Sequence, residues 1–167
     1  AVALPSHLPP LAEYPRAQLD AWHADYMQTR VLPMITLSAR ALVEEHRAAG
    51  HTLMIITATN RFVTAPIAEE FNIPHLIACE LETDSKGQFT GLPTGTPSFQ
   101  NGKITRLETW LTEHNLTWQG LSESWFYSDS HNDLPLMQRV QHPIAVNPDS
   151  TLLQTAKEQA WKIMQLD

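Results

Sequence analysis

Leu53-Met54-Ile55-Ile56-Thr57-Ala58-Thr59-Asn60 is the stretch on which the fold class turns. Its four leading apolar residues form an unbroken run, the pattern of a strand buried on both faces in a parallel sheet. The polar residues behind it lead out of the strand, and a helix ending near Phe71-Asn72 is expected next, with Pro66 in its first turn. Upstream, Ile35, Ala39, Leu42, Val43 and His46 trace one helical face that Gly50 terminates. Helix, buried strand and helix in succession make one turn of an alternating α/β chain.

The alternation extends in both directions. Leu19, Trp22, Tyr26 and Met27 predict a helix from Pro15 to Arg30, after an irregular lead-in that holds Pro5, Pro9 and Pro10. His75-Leu76-Ile77-Ala78 reads as a strand, and Asp84-Ser85-Lys86-Gly87 as the turn of a hairpin joining 80–83 to 88–91. Ile104, Leu107, Leu111 and His114 share a helical face. Trp125-Phe126-Tyr127 and Ile144-Ala145-Val146 are buried strands, with a short helix from Leu134 to Val140 between them. A helix from Thr151 to Ala160, capped by Asp149 or Ser150, and a strand from Trp161 to Met164 complete the chain. The expected architecture is a three-layer α/β sandwich around a mostly parallel sheet, whose chemistry lies beyond the carboxyl ends of the strands.

Composition narrows the function classes. The 167 residues are 43% apolar and 17% charged, the balance of a globular domain. Eleven Lys+Arg against 18 Asp+Glu give a net charge of −7, which opposes nonspecific nucleic-acid binding. No apolar run reaches the roughly 20 residues of a membrane span, and the first residues lack the pattern of a signal peptide. The one cysteine, Cys79, forms no internal disulfide and no multi-cysteine zinc site. A cytoplasmic location is the expectation, and the sequon Asn115-Leu116-Thr117 stands as a pattern alone.

Three strand or helix ends carry candidate chemistry. Thr57, with the backbone amides of Ala58 to Arg61 turning into a helix, suits an anion such as phosphate, although Thr and Asn are also ordinary caps. Asp129 and Asp133 stand four residues apart after the Trp125 strand. Such carboxylates bind a cation, share a proton or cap a helix; oxygen ligands of this kind suit Mg²⁺. His131 between them reads as an exposed or helix-start residue. Lys103 opens a helix, where the dipole disfavours a cation unless a phosphate or carboxylate lies near.

Taken in order, these pieces resemble the haloacid dehalogenase superfamily of phosphatases, in its phosphoserine phosphatase-like branch. Leu53 to Thr57 match an apolar strand ending in Ser or Thr. Lys103 matches the lysine that opens a helix, and Asp129-Ser130-His131-Asn132-Asp133 match the Asp-Ser/Gly-x-Asn-Asp motif. The resemblance implies that Thr57 bonds the transferring phosphoryl group and that Lys103 neutralises its charge. It implies further that Asp129 ligates Mg²⁺, that Asp133 holds a metal-bound water or orients Lys103, and that Ala58, Asn60, Arg61 and Asn132 line the phosphate or substrate. The implied ligand is a small phosphorylated metabolite.

The family's first motif, Asp-x-Asp, which supplies the aspartyl nucleophile, is not matched: Asp20 and Asp25 have the wrong spacing. The expectation is therefore that residues 1–34 are the remnant of a helical cap and 35–167 a core lacking its first strand, too little for turnover alone. A non-catalytic phosphate- or metal-binding subunit is the alternative. In either case the Leu53 and Trp125 strands are expected to have open edges, to be filled by an N-terminal segment, a second copy of the chain, or rearranged strands.

Overall fold

The computed structural model describes residues 11–166, so the expected irregular lead-in at residues 1–10 lies outside them. One compact unit extends to residue 97 and a second begins at Ser98. Each is an α/β assembly.

The first unit begins with helix α1 (Arg16–Tyr26), then a π-helical turn (Met27–Val31) and a 3₁₀ turn (Leu32–Met34). The helix expected to run to Arg30 thus changes its winding at Met27. Pro33, within the 3₁₀ turn, has no N–H with which to continue an α-helical ladder. Helix α2 (Leu37–Ala48) follows, its N-terminus capped by the Thr36 hydroxyl accepting from Ala39 N–H at 3.1 Å. Gly50 then adopts the left-handed φ of +80° that ends the helix.

Strand β1 is Met54–Asn60, helix α3 is Arg61–Glu70, and β2 (His75–Thr83) and β3 (Phe89–Thr94) form the hairpin. Asp84 makes the hairpin turn: its carboxylate accepts from the N–H groups of Lys86 and Gln88 at 2.8 and 3.0 Å. Two expectations are corrected. Strand β1 does not end at Ile56, although its even pairing with β2 does: Met54, Ile55 and Ile56 match His75, Leu76 and Ile77 before the register slips. Pro66 lies inside α3, not in its first turn, and so deprives the Phe62 carbonyl of its helical donor.

The second unit contains helix α4 (Asn101–Glu113), β4 (Trp125–Ser128), a 3₁₀ turn (His131–Asp133), α5 (Leu134–Met137), β5 (His142–Val146), α6 (Ser150–Glu158) and β6 (Lys162–Met164). Helix α5 stops three residues before the expected Val140, where Arg139 N–H turns to the Leu136 carbonyl at 2.9 Å. Met137, Ala145, Leu152 and Ala156 form a buried cluster, with Phe126, Leu134 and Trp161 packed around it. Among the described residues the sheet orders are β1-β2-β3 and β4-β5-β6, so β1 and β4 each occupy a sheet edge. All pairings are parallel except that of β2 with β3.

Asp149 shows how the second unit is pinned at a helix end. Its carboxylate caps α6, accepting from Leu152 N–H at 2.7 Å, and also accepts from His131 N–H at 2.8 Å. Burial opposes its ionisation. The bonds from Leu152, from His131 N–H and from the His131 ring outweigh that effect and hold its carboxyl below the usual range. Asp149→Ala is expected to destabilise the protein by about 1 kcal/mol at neutral pH. A depressed carboxyl stabilises the fold above the unfolded-state value, so the deficit of the variant should shrink as pH falls through the acidic range. Urea unfolding of both proteins at neutral pH and near pH 3 checks this; a deficit independent of pH would contradict the ionised cap.

Candidate functional site

The candidate residues fall in both units. In the second, Lys103 is the third residue of α4, a position whose dipole disfavours a cation, and it is only 6% exposed. Asp133, 8% exposed, compensates it: Lys103 Nζ donates to Asp133 Oδ1 at 2.5 Å. The other carboxylate oxygen accepts from the Ser128 hydroxyl, also at 2.5 Å. Ser128 ends β4, so strand, 3₁₀ turn and helix converge on one carboxylate. Removing one partner of such a buried pair typically costs 3–5 kcal/mol, because the other charge is stranded.

Asp129 directly follows β4. Its carbonyl accepts from Asp149 N–H at 2.9 Å, and its half-buried carboxylate has no side-chain partner among the described residues. Ser130 starts the 3₁₀ turn by accepting from Asn132 N–H at 3.2 Å. Asn132 Oδ1 accepts from Gln100 Nε2 at 3.4 Å, and Gln100 itself has a positive φ of 48° immediately before α4. His131 is exposed, and its Nδ1 lies 2.9 Å from Asp149.

In the first unit, Thr57 sits where the regular β1–β2 pairing is lost, and its hydroxyl accepts from Thr59 N–H at 3.1 Å. Ala58 is exposed at this irregular segment. Asn60 caps α3 through Val63 N–H at 3.0 Å, the ordinary capping role. Arg61 turns to Glu80, with contacts of 2.7 to 2.9 Å, and to the Leu76 carbonyl at 3.0 Å. The hydrogen bond to Glu80 is the main reason that its proton is held more tightly than usual.

Ser128 and Glu80 escape a reading by motif. Ser128 had one signal, a hydroxyl directly before Asp129, and Glu80 had none beyond its place in a strand. Among the described residues no group of three or more His, Cys, Asp or Glu gathers as a metal centre. One free carboxylate is nevertheless within the range of Mg²⁺, which takes one or two and keeps water or phosphate for the rest.

Comparison with known proteins identifies the family. A family model for haloacid dehalogenase-like hydrolases matches residues 2–138. The chain is 44% identical over 158 residues to a histidinol-phosphatase of Neisseria meningitidis, covering 95% of this chain and 71% of that one. It spans about half the length of the other curated relatives it matches. A solved protein of unknown function from Bordetella pertussis is 43% identical with a TM-score of 0.89, over 92% of this chain and 69% of that one. A phosphoserine phosphatase structure, described as a phospho-aspartyl intermediate analogue, shares the fold with a TM-score of 0.57 and 17% identity over 76% of this chain and 56% of that one. Motif order, fold and extent of match lead to one conclusion: the chain belongs to the haloacid dehalogenase-like hydrolase family.

Proposed function

We propose that the chain serves a Mg²⁺-dependent phosphomonoester hydrolase acting on small phosphorylated metabolites. The observation that carries this reading is the buried Lys103–Asp133–Ser128 cluster, on residues spaced as the family's motifs are. Phosphoryl transfer spreads negative charge over three equatorial oxygens, and catalysis consists largely of positioning and countering that charge. Lys103 supplies the counter-charge; Asp133 and Ser128 fix its direction. The Thr57 hydroxyl and the backbone at Ala58 bind phosphate oxygens, with Asn132 and Arg61 toward the substrate.

Asp129 is the residue that would hold Mg²⁺, since both Asp133 oxygens are already engaged. When bound, the ion would neutralise phosphate charge and orient the ester. The family's covalent step takes its nucleophile from an Asp-x-Asp motif, which residues 1–167 do not contain, so the roles assigned to this chain are binding, orientation and charge compensation. Residues 1–34 are read as the end of a cap and 35–167 as core. The name of the Neisseria relative makes histidinol phosphate the first substrate to test.

Two outcomes are expected. In the intact protein, Lys103→Ala should lower kcat for a generic aryl phosphate by about 10²–10³; steady-state kinetics check this, and near-normal kcat would remove Lys103 from the site. Mg²⁺ with a phosphate mimic should raise the melting temperature by mass action on the folded state. Asp129→Asn should abolish most of that rise, and an unchanged rise in the variant would reject the ligand assignment.

A further inference from the structure

The ends of β4 and β5 lie side by side, with Ser128 paired to Ala145, so the segments that leave them meet. Two peptide planes flank Ser130, directly after Asp129, and all four of their polar groups are bonded. The turn itself supplies two of the partners. Ser130 N–H donates to the Ser128 hydroxyl oxygen at 3.2 Å, and the Ser130 carbonyl accepts from Asp133 N–H at 3.1 Å. Asp149 supplies the other two. Its N–H donates to the Asp129 carbonyl at 2.9 Å, and its Oδ2 accepts from His131 N–H at 2.8 Å.

A helix cap needs only one side-chain oxygen, and Oδ1 of Asp149 meets that need through Leu152 N–H at 2.7 Å. The second oxygen and the backbone N–H are surplus to capping, and both are committed to the turn that carries Asp129. Their base is firm. Asn147, two residues earlier, takes a φ of 42°, which asparagine tolerates. Its N–H donates to the Met164 carbonyl at 2.9 Å. Its side chain donates to the Leu166 carbonyl at 2.8 Å and accepts from Leu166 N–H at 3.0 Å. Residues 147–149 are thus tied to the end of β6 on one side and to 129–131 on the other.

Fixing the two planes fixes ψ of Asp129 and both backbone angles of Ser130. What stays open is the Asp129 side chain, half-buried and without a side-chain partner among the described residues. A ligand whose backbone is already ordered loses less freedom when it takes a metal ion.

We propose that Asp149 is a positioning residue for the Mg²⁺ site, its bonds to Asp129 and His131 fixing the backbone on which the open Asp129 carboxylate stands. The proposal rests on the reading of Asp129 as the Mg²⁺ ligand. Asp149→Asn and Asp149→Ser separate this role from capping. Asn and Ser rank with Asp as caps, but each offers a single oxygen, enough for Leu152 N–H and not for His131 as well.

The intact protein is titrated with Mn²⁺, which shares the preference of Mg²⁺ for oxygen ligands, and the free ion is followed by electron paramagnetic resonance. The dissociation constant should rise about tenfold or more in both Asp149 variants. Thr36→Ala, which removes the cap of α2 in the other unit, should leave it unchanged. Wild-type Mn²⁺ affinity in either folded Asp149 variant would overturn the proposal, as would an equal loss in Thr36→Ala. So would a loss that disappears in about 0.5 M KCl, because the removed charge would then account for it. Those results leave the Mg²⁺ reading standing. Absence of saturable Mn²⁺ binding in the wild type, or wild-type binding in Asp129→Asn, would instead reject that reading and this proposal together.

Discussion

A lysine buried in the first turn of a helix is tolerable only with a carboxylate against it, and the second unit is arranged to keep one there. Lys103 faces both desolvation and an unfavourable dipole. Asp133 answers both, and the Ser128 hydroxyl satisfies the carboxylate's other oxygen. Three elements must keep their spacing for this to hold: the end of β4, the 3₁₀ turn after it, and the start of α4. The motif spacing in the sequence is the one-dimensional trace of that requirement.

The same constraint divides the labour between two aspartates that look alike in sequence. Asp133 has both oxygens engaged and is buried, whereas Asp129 is half-buried with its carboxylate open. One serves an internal cation; the other has no side-chain partner among the described residues. Asp149 adds a third carboxylate, spent on capping α6 and on the backbone and ring of His131. Three carboxylates at the same end of the sheet therefore need not compete for one ligand.

Much of the fold was legible because its signals are local. Gly50, the Asp84 turn and the apolar runs at 54–56, 125–127 and 144–146 act through φ preference, short-range hydrogen bonds and burial, all of which the neighbouring residues determine. What was hidden depends on tertiary context. The π-helical turn at Met27–Val31 and the continuation of β1 to Asn60 follow from packing and pairing that no window of residues encodes. The site divides the same way: Lys103, Asp129 and Asp133 stand out by motif, while Glu80 as the partner of Arg61 is 19 residues away and invisible to spacing. Asn60, by contrast, takes the capping role that a reading of Asn before a helix favours.

The span between Lys103 and Asp133 also sets an order of events during folding. The pair joins residues 30 apart in sequence, and closing a loop of that length carries an entropic cost of about 3 kcal/mol that grows only slowly with length. Helix α4, which needs only local bonds, has no such barrier, and neither does the turn at Asp84. Local structure can therefore begin to form before this pair closes, while the lysine is still solvated by water. Helical content and closure of this pair thus report different things: the first local structure, the second whether the candidate site exists.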